Sequence, residues 1–384
     1  MEYGPSALAE LGHMQAVSVS QQFWRGRGVF VTGHTGFIGG WVCQWLNRLG
    51  AQVTGYAIDP PTQPNLYDAA RLGNRIPSIY GDVRDLSALS QAVNDAEPEI
   101  VLHLAAQPLV RTAFYEPAHT FATNVMGTVN LLEAVRRPDS VRAVVVFTTD
   151  KVYDNREWVW GYREDDRLGG REAYGASKAA AEMAVTAYRE SYLAVREAPV
   201  GVATVRSGNV IGGGDWADER LVPDAVRAFS SNKKLWVRSP DAVRPWQHVL
   251  DPVRGLLVIA EQLHADAETY ATSWNLGPAE DSARPVAEVI EALSRNWGSG
   301  AGWEIDKRAK PYEARLLSLN SARAADVLGW RGAWNFDDAI ARTVEWYRAF
   351  YDGADVAALS DKQIATYEAT VASKREPDAA KRSA

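Results

Sequence analysis

Val29-Phe30-Val31-Thr32-Gly33-His34-Thr35-Gly36-Phe37-Ile38-Gly39 is the stretch that decides the fold of this 384-residue chain. Its first four residues read as a buried strand, three glycines follow at GxxGxxG spacing, and an amphipathic stretch then begins. A strand, a glycine turn and a helix start set backbone N–H groups and the positive end of a helix dipole against a diphosphate. A side chain at those glycines would hold the pyrophosphate away from the backbone. Glycine turns also join strands to helices for structural reasons alone, so the motif gains its weight from an acidic residue downstream of it. Asp59 ends the next apolar run, 52–58, about 20 residues past the turn, where an acidic side chain binds an adenosine ribose 2′-hydroxyl. The same carboxylate repels a 2′-phosphate, which predicts NAD and not NADP. A second acidic turn, Gly81-Asp82-Val83-Arg84-Asp85, reads equally as an adenine contact and as a turn before a helix.

Outward from this stretch, strand and helix signals alternate. The strand candidates are 28–32, 52–58, 100–104, 143–147 and 201–206; helical segments between them include 36–49, 86–95 and 117–135. This alternation predicts an α/β fold, a doubly wound, Rossmann-like parallel sheet covered by helices on both faces, with right-handed crossovers. After Arg206 a glycine-rich loop, 208–216, replaces the strand–helix rhythm. Residues 23–206 together with about 245–275 are expected to form the NAD-binding domain. Residues 207–244 and 276–354 are expected to form a smaller C-terminal α/β lobe for the substrate. Residues 1–22 read as a flexible extension and 355–384 as a tail.

Composition narrows the class. Hydrophobic residues at 46% and charged residues at 23% are those of a soluble globular protein. A formal charge of −7 argues against a nucleic-acid partner. No apolar run approaches the ~18–20 residues of a membrane span, and no signal-peptide pattern opens the chain, so no membrane association is expected. Cys43 is the single cysteine and reads as a reduced, buried residue of a cytoplasmic protein. The six histidines show no paired ligand spacing, so no metal is expected. His34 reads as a shaper of the glycine loop.

The apolar run 143–147 delivers Thr148-Thr149-Asp150-Lys151 at its carboxyl end, the edge of such a sheet where ligands bind. Further on, Tyr174-Gly175-Ala176-Ser177-Lys178 opens an alanine-rich helical run, and Tyr174 and Lys178, four apart, share one face. A lysine ammonium and a nicotinamide positive charge would favour the tyrosine phenolate. A phenolate can take the proton of a sugar hydroxyl while hydride leaves the same carbon, with Thr149 hydrogen-bonding at that hydroxyl. YxxxK alone is weak; after GxxGxxG and a strand-terminal threonine it is strong.

At these residues the chain resembles the extended short-chain dehydrogenase/reductase superfamily, and within it the CDP-glucose 4,6-dehydratases. The resemblance rests on VFVTGHTGFIGGW (29–41), DPPTQPNLYD (59–68), GDVRD (81–85), LHLAAQPLVR (102–111), TTDKVYDNREWVWGYREDD (148–166), YGASKAAAE (174–182), RSGNVIGGGDWADERLVPD (206–224), RPWQHVLDP (244–252) and PYEARLLSLN (311–320). It implies oxidation of a glucose C4 hydroxyl, loss of water across C5 and C6, and return of hydride to C6, with CDP-glucose as the substrate and a homodimer as the assembly. It implies a cofactor site of Gly33, Thr35, Gly36, Phe37, Ile38, Gly39, Asp59, Asp82, Val83, Leu104, Ala105, Ala106, Asn124, Tyr174 and Lys178. The catalytic set is Thr149, Asp150, Lys151, Tyr174 and Lys178, with Asp150 as the acid for the departing C6 hydroxyl. Lys151, where the dTDP-glucose relatives carry Glu, is either a neutral base or a charged stabiliser of the enolate.

Gln107, Arg111 and Asn209 match sugar and diphosphate positions, and Arg220 and Arg244 are diphosphate candidates through paired guanidinium donors. Among the fourteen tryptophans, Trp158, Trp160, Trp216 and Trp246 lie in loop-like motifs where one could stack on cytosine. The chain departs from the pattern at Gly175-Ala176 (more usually Ser-Ser), Ile38 (often Lys), Asp251 (Glu) and Tyr312 (His). Three other readings stay open: a dehydratase for another nucleotide-hexose, an NAD-dependent nucleotide-sugar 4-epimerase, which does not need Asp150 and Lys151, and a non-catalytic NAD-binding scaffold.

Overall fold

The computed structural model describes residues 17–278, 282–298, 301–306 and 316–374. Seven parallel strands form its centre: β1 (Gly28–Thr32), β2 (Gln52–Ala57), β3 (Ser78–Tyr80), β4 (Ile100–His103), β5 (Ala143–Phe147), β6 (Gly201–Arg206) and β7 (Ser273–Asn275). Their order is β7-β6-β5-β4-β1-β2-β3. β1 pairs with β2 on one side, Val29 opposite Val53, and with β4 on the other, Val29 opposite Ile100. The direction of winding reverses between β1 and β4, and that crevice at the carboxyl edge is where such sheets take ligands.

Side chains alternate across the sheet, so each strand feeds two cores. Val29, Val31, Val145 and Phe147 face a core with Trp41, Leu46, Leu256 and Ile364. Phe30, Val144 and Val146 face the other, with Leu89, Val93, Leu131 and Val185. Cover on both faces is why these strands read as unbroken apolar runs. The three-residue β3 did not stand out in the sequence; β7 pairs with β6 at the edge of the sheet, Trp274 opposite Val205.

The glycine turn opens the helix Phe37–Leu49, which Gly50 ends in the left-handed conformation at φ 82°. Gly33 has φ +75°, and a Cβ there would lie 2.6 Å from the Ala105 nitrogen; at Gly39 it would lie 2.1 Å from the Gly33 carbonyl oxygen. Both positions demand glycine for close approach of backbone to backbone. The smaller lobe carries the helices Leu221–Ser230 and Val286–Trp297 and two short strand pairs, Leu235–Val237 with Trp303–Ile305 and Val243–Pro245 with Ala283–Pro285.

Two ends differ from expectation. The region read as a tail from 355 contains the helix Val356–Ser373, capped by the Asp355 carboxylate. It covers the helix Phe37–Leu49: Gln44 donates to the Ala357 carbonyl at 3.0 Å and Trp45 to Glu368 at 2.9 Å. Within the region read as a flexible extension, the Ser20 amide donates to Glu261 at 2.8 Å, and Ser20 caps the turn Gln21–Trp24, whose Trp24 is fully buried. Residues 1–16, 311–315 of the PYEARLLSLN motif with Tyr312, and 375–384 lie outside the described residues. Among the described residues no helix is long and apolar enough to cross a membrane.

Candidate active site

β5 ends in Thr148-Thr149, and a single 3-10 turn, Asp150–Val152, bends the chain back under the start of the helix Ala173–Tyr188. Glu172 caps that helix, accepting from the amides of Tyr174 at 2.6 Å and Gly175 at 2.8 Å. At Gly175 a Cβ would sit 2.7 Å from the Lys151 carbonyl oxygen. Glycine, in place of the more usual serine, therefore lets the helix start lie directly on the Asp150–Lys151 turn. Thr149 donates to Asp150 Oδ1 at 3.0 Å, and Lys151 Nζ reaches the same oxygen at 3.3 Å. Asp150 is fully buried, and its Oδ2 has no partner among the described residues. Gly208 closes over it so tightly that a Cβ there would fall 2.1 Å from Oδ2.

The electrostatics separate the roles. Burial pushes the Tyr174 phenol up, opposed by the charges of Lys151 and Arg220 and by a hydrogen bond with Thr149. The expected cation, Lys178, is not the one that opposes it. Burial lowers Lys178 to about 8, offset in part by Glu182, and its Nζ donates to the Phe147 carbonyl at 3.1 Å. For Lys151 burial pulls down, but Asp150 and Tyr174 outweigh it and hold the ammonium above its ordinary range. A third of the Lys151 side chain remains open to the cleft.

Arg220, paired with Asp215 at 2.9 Å, and Arg244, whose charge bears on Lys151, stand on the lobe side of this cluster. Asn209, at φ 25°, has a buried Oδ1 without a partner among the described residues. Arg111 pairs with Glu219 at the cleft mouth. Gln107 is committed internally: its side-chain amide donates to Thr120 Oγ1 at 2.8 Å and the Leu109 carbonyl at 3.1 Å, and accepts from the Leu109 amide at 2.7 Å. Trp216 and Trp246 are buried, Trp216 against Trp346 and Phe350, so only Trp158 and Trp160 keep exposed faces.

The glycine turn after β1 and the residues after β4, both expected at the cofactor, stand on either side of the crevice between these strands. The helix amides at Phe37, Ile38 and Gly39 follow Gly36, whose position has no side-chain cap. Thr35 donates to the Ile58 carbonyl at 3.0 Å, tying the turn to the end of β2, beyond which Asp59 is exposed. The cramped glycines and the open helix start fit a diphosphate, and the exposed Asp59 fits a ribose. Leu104, Ala105 and Ala106 follow β4 on the far wall. Two expected contacts are otherwise engaged. The Asp82 carboxylate is held by Arg84, whose hydrogen bonds draw it below the usual carboxylate range. Val83 packs behind it in the second core. Asn124 is used up on Gln107 and Ser177. His34 packs on Gly55 and donates or accepts at Ser78 Oγ at 3.1 Å; burial drives its ring down to about 4.

Sequence reasoning missed the support beneath the site. Glu182 accepts from Thr148 at 2.6 Å, Thr204 at 2.7 Å and the Arg206 guanidinium at 3.0 and 2.9 Å, locking β5, β6 and the Tyr174 helix together. Its signal was available: 174, 178 and 182 repeat at four residues and share a helix face.

A doubly wound sheet with threonine, tyrosine and lysine at its carboxyl edge, beside a glycine-turn helix and a second lobe, defines a nicotinamide-dependent extended short-chain dehydrogenase/reductase. A model of the GDP-mannose 4,6-dehydratase family matches residues 30–343. The chain belongs to that family of NAD-dependent nucleotide-sugar 4,6-dehydratases. A CDP-glucose 4,6-dehydratase of Salmonella typhimurium is 44% identical over 352 residues, 91% of this chain and 98% of that protein. A dTDP-glucose 4,6-dehydratase of Xanthomonas campestris is 29% identical over 339 residues, 83% of this chain and 92% of that one. Among solved structures, a UDP-glucose 4-epimerase from Stenotrophomonas maltophila with bound NAD superposes with a TM-score of 0.73 at 21% identity, over 85% of this chain and 100% of that one. A dTDP-glucose 4,6-dehydratase from Bacillus anthracis in complex with NAD does so at 0.71 and 22%, over 86% and 100%. These two likenesses speak for the fold.

Proposed function

We propose that the protein dehydrates CDP-D-glucose to CDP-4-keto-6-deoxy-D-glucose, with NAD held along Gly33–Gly39, Asp59 and Leu104–Ala106. The buried Asp150–Lys151 pair beside Tyr174 carries this reading, because a 4-epimerase has no use for it. The 44% identity to the Salmonella enzyme supports CDP-glucose as the substrate. What NAD supplies here is reversible hydride transfer, from C4 at the start and to C6 at the end.

Everything else falls to side chains. Tyr174, beside Thr149 and facing Lys151 and Arg220, takes the C4 hydroxyl proton as C4 is oxidised. The resting Asp150–Lys151 ion pair converts to a neutral pair when one proton moves from Nζ to Oδ1. The neutral pair is at once an acid and a base. Lys151 then takes the C5 proton, made acidic by the C4 ketone, while Asp150 gives its proton to the departing C6 hydroxyl, and water leaves. Lys151 returns its proton to C5 as C6 is reduced. Tyr174 ends protonated and Asp150 ionised, so one proton passing from Tyr174 to the pair resets the site.

Product NMR after incubation with NAD and, separately, CDP-, dTDP-, UDP- and GDP-hexoses tests this. A 4-keto-6-deoxy product from CDP-glucose is expected; a C4-inverted sugar would make the protein an epimerase. Tyr174→Phe is expected to lose about 10²–10⁴-fold in turnover, and undiminished turnover would point to another base.

We also propose a homodimer and a cytoplasmic location. Phe121 and Met126 on the 117–135 segment, and Met183 and Tyr192 on the neighbouring 173–193 segment, keep 39–58% of their surface exposed, an apolar face suited to a second copy. Sedimentation at micromolar concentration is expected to show twice the chain mass; monomer alone would reject the dimer. The buried, unpaired Cys43 supports a reducing compartment.

A further inference from the structure

His103 takes no part in the chemistry above, yet it lies at the centre of a hydrogen-bond chain whose directions can all be assigned. It ends β4, is 2% exposed, and stands opposite Thr32 at the end of β1. Thr32 Oγ1 accepts from the Ala105 amide at 3.2 Å and shares the Leu104 amide, 3.2 Å away, with the Thr32 carbonyl at 3.1 Å. A hydroxyl has two acceptor sites and one donor, so its proton goes to His103 Nδ1, 2.7 Å away. Nδ1 therefore accepts, and the ring proton sits on Nε2, 3.2 Å from Thr128 Oγ1. The Thr128 hydroxyl passes the direction on to the Asn124 carbonyl at 2.7 Å. Burial, with the Lys178 charge adding to it, drives the ring down to about 3, so it stays neutral at working pH.

Asn124 lies in a π turn, Ala122–Met126, whose extra residue re-aims its side chain off the helix. That side chain accepts from the Gln107 amide at 2.8 Å, donates to the Gln107 carbonyl at 3.1 Å, and donates to Ser177 Oγ at 2.9 Å. Ser177 donates to the Tyr174 carbonyl at 2.7 Å. One imidazole thus joins the strand that enters the glycine turn, the Leu104–Gln107 wall and the first turn of the Tyr174 helix.

We propose that His103 is a positioning residue for this reaction, the neutral Nε2–H joint that sets Tyr174 against the cofactor wall. If the joint is lost, the Tyr174 turn moves relative to Lys151 and Arg220, the charges that ease its ionisation. A displacement of this kind costs turnover more than binding.

The activity readout rests on the dehydratase reading, so wild-type turnover of CDP-glucose is the control that tests that reading separately. His103→Leu, His103→Gln and Thr128→Val are compared by kcat, KM and the pH profile of kcat. His103→Leu is expected to lower kcat about 10–10²-fold with KM within about twofold. Its acid limb is expected to move up by about half a pH unit. Gln, whose amide can still donate to Thr128, is expected to recover most of the loss. Thr128→Val, which removes one hydroxyl, is expected to reproduce the loss and to add nothing to His103→Leu. Folded Thr128→Val with wild-type kcat and pH profile would overturn the proposal. So would a change confined to KM, or a Gln variant no better than Leu.

Discussion

One carboxylate oxygen gathers the acid and the base of the site. Asp150 Oδ1 gathers Thr149 and Lys151, while Oδ2 is buried beneath Gly208 without a partner among the described residues. Acid and base are thus built from adjacent residues, and Lys151 acts as a base only because Asp150 can receive its proton. Lys151→Met is therefore expected to stop exchange of the substrate C5 hydrogen with D2O and to lower dehydration by about 10²-fold or more. NMR of the sugar in D2O reads this directly, and C5 exchange at the wild-type rate would assign the base elsewhere. The residue types at 149, 150, 151, 174 and 178 were legible from the chain. Which cation serves Tyr174 was not: helical spacing favoured Lys178, whereas the bend at 150–152 brings Lys151 to it.

The helix that carries Tyr174 is placed by close approach at its first turn. Gly175 lets it rest on the Lys151 carbonyl, and Glu172 anchors its free amides. Gly175→Ser is expected to leave the fold and cofactor affinity intact but to lower kcat about tenfold, because the turn must lift by a few tenths of an ångström at the reacting group. Steady-state kinetics beside NAD titration checks this; unchanged kcat would show that the turn tolerates a Cβ. Elements with long, clean periodicity, such as β1, β5 and the helix Phe37–Leu49, could be read from sequence. The helix Val356–Ser373 could not, because Ser360 and Gln363 occupy core-facing positions and weaken its apolar stripe. The π turn at Asn124 was equally hidden, since one inserted residue leaves helical propensity unchanged. β3 is only three residues long and half exposed, too short to show alternation.

Across the molecule, both ends of the described chain pack onto the core that holds the glycine-turn helix. The N-terminal segment is held by Glu261, which accepts from the Ser20 amide and from Trp24 Nε1 at 2.6 Å. Burial raises Glu261 from 4.5 to about 7, against those two hydrogen bonds. Its folded value lies above its unfolded one, so its stabilising contribution is complete below about pH 4.5 and is lost as pH rises through about 7. Glu261→Gln, which stays neutral and keeps an acceptor oxygen, is expected to exceed wild type by about 3 kcal/mol at pH 8 and to converge with it at low pH. Denaturation midpoints at pH 5 and pH 8 test this; a variant less stable than wild type at pH 8 would refute it. The cover that the helix Val356–Ser373 gives to the helix Phe37–Leu49 has a consequence for synthesis. The glycine-turn helix leaves the ribosome early, yet the residues that shelter Gln44 and Trp45 emerge some 300 positions later, roughly 15–60 s at ordinary elongation rates. Throughout that interval an apolar helix face waits uncovered, so a growing chain is exposed to aggregation for most of its translation, and a message cut short near codon 355 yields a protein whose oldest part is its least finished.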